Sequence, residues 1–233
     1  MDTLRGMNPL ASYLDAAILK PEMSESEVLE AAKACLPYQP CTLCVRPSDI
    51  PLVKPLCRAR RVGVCVVLGF PHGCQLTASK ADEAKRYLAS GVDEIDMVAN
   101  VGWVRSGAWD KVRRDIEAVS GVTRPAGVPL KVIFETCFLS EAEIGKLVDV
   151  CVEAKADFVK TSTGFNGEGA RDAHVKLMLE KAKKRIQVKP SGGIRTRERA
   201  EALIDMGATR LGVGFGSVAA LCNGEAVDPD SSY

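Results

Sequence analysis

Histidine and aromatic residues are scarce in this 233-residue chain: there are two histidines, and Phe, Trp and Tyr make up 5%. His72 and His174 fall in different segments, so no site of several histidines can be built. Carboxylates could still hold magnesium, but no clustered acidic motif is present, and metal-dependent chemistry is not expected. An excess of one charge is missing too. A net charge of +1 gives no pull towards nucleic acid or an anionic membrane surface. The basic cluster Lys181, Lys183, Lys184, Arg185 reads as a solvated helix end, where cations favour the dipole. No apolar run approaches the roughly 18 residues of a membrane span, and no signal-like apolar core stands at the N-terminus. A cytoplasmic protein is expected. Ser/Gly-rich linkers are absent as well, which fits a single domain over 1–233 with a lead-in at 1–11 and a tail at 224–233.

Cysteine is not scarce, but its nine positions are odd in number and scattered. Cys41-Thr42-Leu43-Cys44 is the one CxxC, and it reads as a strand, where residues three apart face opposite ways. That opposes a shared metal or a mutual disulfide. Most of these thiols read as small buried hydrophobes.

What the chain does have is one repeated grammar. Strand-like runs occur at Ser12–Ile18, Cys41–Arg46, Arg61–Phe70, Asp93–Ala99, Leu130–Glu135, Asp157–Thr161, Ile186–Lys189 and Arg210–Val213. Helix-compatible stretches alternate with them: Ser24 to Leu36, a short proline-punctuated one through Leu56, Thr77–Ala89, Trp109–Val119, Ser140–Ala154, Arg171–Lys184, Thr196–Met206 and Ser217–Cys222. Ser24 with Glu27 and Ser140 with Glu143 have capping-box spacing. Strand-then-helix eight times implies a parallel sheet, and the fold expected is α/β, a single-domain (β/α)8 TIM barrel. An open doubly wound sheet is the alternative, but the glycine fingerprint it would normally carry after its first strand is missing.

Three charged side chains interrupt apolar strands: Asp96 in Glu94-Ile95-Asp96-Met97-Val98, Lys160 in Phe158-Val159-Lys160, and Lys189 in Gln187-Val188-Lys189. Catalytic groups of such barrels sit at the C-terminal strand ends. A desolvated lysine beside a second cation is a nucleophile at neutral pH and a candidate Schiff-base former. Asp96 could hold the second lysine protonated and relay protons through water. A lysine that merely snorkels to water, or a barrel-lining ion pair, remains the plainer alternative for each residue alone. Ser191-Gly192-Gly193-Ile194-Arg195 after the seventh strand and Gly212-Val213-Gly214-Phe215-Gly216 after the eighth are candidate phosphate loops. Glycines there let backbone N–H groups approach an anion, although ordinary turn chemistry also uses them.

With these residues in view, the chain resembles the deoxyribose-phosphate aldolases from about Tyr13 to Leu221. The resemblance rests on Asp15 with Leu19-Lys20-Pro21, on Gly69-Phe70-Pro71-His72-Gly73, and on Asp93 to Val98. It continues through Leu130 to Thr136, Phe158 to Phe165 and Lys189 to Thr196. It implies a class I aldolase that cleaves 2-deoxy-D-ribose 5-phosphate to D-glyceraldehyde 3-phosphate and acetaldehyde, without metal or other cofactor. Lys160 would form the Schiff base, Lys189 would perturb it, and Asp96 would serve the proton relay. Asp15, Cys44, Gly164, Gly192, Gly193, Arg195, Gly212 and Gly214 would line the substrate and phosphate site. For Cys44 the pocket and a core thiol remain equal alternatives. A terminal tyrosine reaches the site in some members, which makes Tyr233 a candidate for proton transfer. Partners expected are a sugar phosphate and an aldehyde, with no nucleic acid or membrane, in a homo-oligomer (dimer or tetramer). The chain departs from the family pattern at Ala16 and Ala17, at Glu168, and at Gly214-Phe215, where serine hydroxyls are usual. Phosphate is therefore expected to be held by amides of Gly193 and Gly212 to Gly216, with tolerance of unphosphorylated aldehydes. The rivals are a different Schiff-base aldolase and a catalytically silent sugar-phosphate-binding barrel.

Overall fold

In a computed structural model that describes residues 10–224, eight parallel strands carry the alternation read above. They are β1 (Leu14–Ile18), β2 (Thr42–Val45), β3 (Gly63–Leu68), β4 (Glu94–Val98), β5 (Leu130–Ile133), β6 (Phe158–Lys160), β7 (Gln187–Lys189) and β8 (Leu211–Gly214). Each pairs with its sequence neighbour, and β8 pairs with β1. The seam between β7 and β8 is joined by a Ser191–Gly212 bridge and by the Gly212 amide donating to Pro190 O at 2.8 Å. The result is the expected barrel rather than an open sheet.

Period-two alternation decides which side chain faces where. Leu14, Ala16, Leu43, Val45, Val64, Val66, Ile95, Met97, Val132 and Val159 point outwards and are buried against the helices. Opposite them lie Val28 and Ala32 of α1 (Glu25–Cys35), Val53 of α2 (Ile50–Arg60), Ala84 of α3 (Thr77–Ala89) and Ile116 of α5 (Trp109–Thr123). Leu147 of α6 (Glu141–Glu153), Val175 of α7 (Asp172–Ala182) and Leu203 of α8 (Arg197–Asp205) complete the layer. Each large side chain so covered contributes roughly 1.5–3 kcal/mol. This apolar shell leaves the inner face free to carry Asp15, Thr42, Cys44, Cys65, Asp96, Lys131, Lys160 and Lys189, all buried. Both capping boxes form: the Ser24 and Ser140 amides donate to Glu27 at 2.8 Å and to Glu143 at 2.7 Å.

Four local expectations change. Leu10 and Ala11 are buried in the core, so the lead-in ends earlier than residue 11. Helix α2 runs on to Arg60 through both prolines. Pro51 sits in the first turn, where no amide partner is needed, and the apolar face of Ile50, Val53 and Cys57 continues past Pro55. A short α4 (Val101–Arg105) was not anticipated; Asn100 caps it, accepting from the Trp103 amide at 3.1 Å. Helix α5 extends four residues beyond Val119, because Ser120 and Thr123 are buried and Ser120 Oγ donates to Ala154 O at 2.7 Å. A final α9 (Val218–Asn223) closes the described chain. Among the described residues no helix is long and apolar enough to cross a membrane.

Candidate active site

Register brings the two strand-end lysines together. Lys160, the last residue of β6, lies directly opposite Lys189, the last of β7, and both side chains point into the barrel. Asp96 reaches in from β4. Its Oδ2 accepts from Lys160 Nζ and from Lys189 Nζ, each at 2.8 Å. The three residues singled out as charges inside apolar strands thus form one contact set, and each is at most 1% exposed.

A second tier lies beneath them. Lys131 of β5 contacts Asp96 Oδ1 at 2.7 Å, Glu94 at 2.6 Å and Asp15 at 3.5 Å. Arg210 bridges Asp15 at 2.7 Å and Glu94 at 2.8 Å, and its guanidinium stacks on Phe158. Asp15 also accepts from Thr42 Oγ1 at 2.8 Å and is ion-paired to Lys189. Burial alone would raise the Asp15 carboxyl, but Lys189, Lys131 and Arg210 outweigh it and hold the group far below the ordinary carboxylate range. Asp96 behaves the same way, with Lys131, Lys160 and Lys189 overcoming its desolvation. Burial would likewise lower the Lys189 ammonium, yet Asp15 and Asp96 push it upwards; Lys131 is pushed up by Asp96, Cys65, Asp15 and Glu94. Four cations and three carboxylates therefore share the interior, and charge balances when one lysine gives up its proton.

The wall facing β1 to β3 is apolar. Ala17, Leu19, Cys44, Cys65 and Val67 form a cluster of their own, on which Phe70 and Phe165 pack. Those two rings meet edge-to-face at 5.0 Å between centroids. At the barrel mouth a cleft of about 370 Å³ is lined by Pro71, His72, Val101, Arg105, Glu135 and Asn166, among others. Clefts of about 330 and 510 Å³ lie away from the lysines, among helix residues and the opposite strand ends.

Loop order comes from Glu135. Held at φ +55°, it accepts from the Thr163 amide at 3.1 Å, from the Thr163 hydroxyl, and from Asn166 Nδ2 at 2.8 Å. This fixes the turn through Gly164, whose φ of +86° only glycine adopts without strain. Gly192, at φ +88°, accepts from the Ala170 amide at 3.0 Å, so the loops after β6 and β7 touch backbone to backbone. Gly193 is exposed beside it, and Arg195 is exposed two residues on. Gly212 departs from expectation. Its amide is already donated to Pro190, so it offers no donor to an anion; a side chain there would overlap Ser191 Oγ and crowd Lys189. It supplies space beside a lysine. Gly214 pairs with Ala17 in the ladder. The hydroxyls of Ser162 and Ser191 are buried with no protein hydrogen-bond partner. Tyr233 lies outside the described residues.

Lys131, Glu94, Arg210 and Cys65 escaped the sequence reading. Lys131 carried the same signal as Lys160, a lysine inside an apolar run, whereas Cys65 had none. Cys44, Cys65 and Asp96 place ligating atoms within 4.8 Å of one another, the one such group among the described residues. Asp96 is already engaged by three ammonium groups, which a divalent cation would have to displace, so the donor set does not favour a resident metal.

The chain is similar to known aldolases in both sequence and fold. A profile described as DeoC/LacD family aldolase matches residues 17–219. A deoxyribose-phosphate aldolase of Mannheimia succiniciproducens is 44% identical over 207 residues, 89% of this chain and 92% of that protein. Among solved structures, an aldolase called QR15 superposes with a TM-score of 0.86 at 38% identity, covering 92% of this chain and 95% of its own. The deoxyribose phosphate aldolase of Aeropyrum pernix, described as a tetramer, gives 0.85 at 28% identity over 94% and 91% of the two chains. The profile match and the identity to these curated relatives show that the chain belongs to the DeoC/LacD aldolase family.

Proposed function

We propose that this aldolase cleaves 2-deoxy-D-ribose 5-phosphate reversibly to D-glyceraldehyde 3-phosphate and acetaldehyde through an imine on Lys160. The observation that carries the reading is the shared carboxylate: Lys160 and Lys189 both meet Asp96 Oδ2 at 2.8 Å. An imine-forming amine must be neutral when it attacks. Arg210 cannot give up a proton, Lys131 is held by three carboxylates and Lys189 by two, which makes Lys160 the lysine whose loss of a proton removes the excess positive charge.

The neutral amine adds to C1 of the open-chain sugar and loses water. Removal of the C3 hydroxyl proton then sends the C2–C3 bonding electrons into the protonated imine, leaving an enamine and freeing glyceraldehyde 3-phosphate. Protonation at C2 and hydrolysis return acetaldehyde and Lys160. Asp96, kept ionised by the cations around it, orients the Lys160 amine and the Lys189 ammonium, and Lys189 passes protons through water. The apolar wall of Ala17, Cys44 and Val67 suits the two-carbon fragment. For the phosphate, Gly193, the backbone after Gly214 and Arg195 remain the proposed contacts, with the buried Ser191 hydroxyl beside them. Assembly as a homo-oligomer is supported by the tetrameric Aeropyrum relative.

Acetaldehyde release from 2-deoxyribose 5-phosphate, followed with alcohol dehydrogenase and NADH in excess EDTA, tests the substrate. Turnover of the ester, with weaker but measurable turnover of unphosphorylated deoxyribose, is expected. Inertness towards both, with cleavage of a ketose phosphate instead, would move the chain to another aldolase specificity.

A further inference from the structure

The inner face of β2 and β3 carries two thiols that the aldol chemistry leaves unused as a pair. Cys44 and Cys65 are direct register partners on adjacent parallel strands, and both are buried. Neighbouring strands run about 4.8 Å apart, within the Cα separation a disulfide spans. The side chains point the same way into the chamber, and their Sγ atoms lie within 4.8 Å of each other and of an Asp96 oxygen. Cys65 Sγ donates to Asp96 Oδ1 at 3.2 Å and receives Lys131 Nζ at 3.3 Å. One thiol of the pair is thus tied to the carboxylate that organises both strand-end lysines.

We propose that Cys44 and Cys65 are a peroxide-oxidation site, converted to a reversible disulfide that shuts down the aldolase. Contact with Cys65 lowers Cys44 despite its burial and the nearby Asp96 carboxylate, with the Lys189 ammonium helping, while burial, Cys44 and Asp96 raise Cys65. The attacking thiolate and the resolving thiol are therefore distinct. Cys44 thiolate attacks one peroxide oxygen, the O–O bond breaks, and a proton completes the departing water, leaving Cys44 as a sulfenic acid. Cys65 then attacks that sulfur as its S–H proton is lost, and the sulfenic hydroxyl leaves as a second water on taking up that one proton. Two thiols are oxidised by two electrons and one hydrogen peroxide is reduced. A dithiol such as dithiothreitol reverses the bond by exchange. Access is no obstacle in principle, since peroxide is smaller than the aldehyde that must reach Lys160, which is equally buried. Closing the disulfide withdraws the Cys65 S–H from Asp96 and fills the chamber wall.

The loss of activity rests on the proposed aldol reading, whereas the covalent step does not. Purified enzyme would be treated with hydrogen peroxide, capped with an alkylating agent, digested without reductant and mapped by mass spectrometry. Expected is a linked peptide joining the Cys44 and Cys65 segments, lighter than its two parts by two hydrogens. It should appear together with loss of most of the activity, and both should revert with dithiothreitol. Cys44→Ala and Cys65→Ala should each lose the linked peptide; Cys44→Ala should keep most of its own untreated activity after peroxide, whereas Cys65→Ala, which has no resolving thiol, should still be inactivated through Cys44. Cys74→Ser and Cys137→Ser should respond as the parent does. A missing linked peptide, an irreversible sulfinic acid at Cys44, or unchanged peroxide sensitivity in Cys44→Ala would overturn the proposal. A linked peptide from a protein inactive on every aldehyde would uphold the oxidation site and count against the aldol reading alone.

Discussion

Replacing Lys131 by Met removes one of the four clustered cations while keeping the length of the side chain. Lys131 and Lys160 face opposite oxygens of Asp96, at 2.7 and 2.8 Å. At a separation of roughly 6 Å and an effective dielectric constant near 20, a unit charge is worth about 3 kcal/mol. On a proton equilibrium that is about two pH units. In the parent, the cluster balances when Lys160 is neutral; in the variant, it balances when Lys160 is protonated. The acid limb of kcat/KM should therefore move one to two pH units to the alkaline side, as a rough estimate, with about a 10- to 100-fold loss at neutral pH that alkali partly restores. Every carboxylate keeps another cationic partner, Asp96 two lysines and Glu94 Arg210, so the fold should survive at a cost of about 1–3 kcal/mol. Steady-state kinetics across pH beside urea unfolding separate the two effects. A loss of rate that is the same at every pH, or an unmoved acid limb, would refute the charge-balance reasoning.

Two further outcomes follow from buried charge. Asp15 is held well below its unfolded value, so its contribution is complete above the ordinary carboxylate pKa and is lost as pH falls through and below it. The gap in urea midpoint between the parent and Asp15→Asn should stay constant from about pH 7 to 5 and narrow below about pH 4; narrowing that begins above pH 5 would contradict this. Lys80 and Asp115, each at most 1% exposed, pair at 2.6 Å between α3 and α5, with Lys80 also donating to Val98 O. Asp115→Ala strands that ammonium and should cost about 3–5 kcal/mol by denaturant titration, and a cost below about 1 kcal/mol would show the pair to be idle.

Much of this architecture was legible because each strand advertises itself twice, by an apolar outer set and by what interrupts it. Asp96, Lys160 and Lys189 were visible for that reason: a charge in a doubly covered strand has nowhere cheap to go. Lys131 shares the pattern inside Leu130–Ile133, yet its role depends on Glu94 and Arg210, which come from strands far apart in sequence. Linear spacing also hid the partner of Cys44. The CxxC drew attention to Cys41, whereas the register of β2 on β3 sets Cys44 against Cys65. Gly212 and Gly214, expected in a loop after the eighth strand, lie within β8, and an amide's availability depends on which carbonyl it already serves. Gly212 serves Pro190.

The central claim is that Lys160 is the imine-forming residue. Incubating the protein with acetaldehyde and borohydride in excess EDTA, then mapping the adduct by peptide mass spectrometry, tests it most directly. A two-carbon adduct on Lys160, lost in Lys160→Ala, is the expected result. Modification scattered over exposed lysines with Lys160 untouched would contradict the account and leave a sugar-phosphate-binding barrel without the imine chemistry.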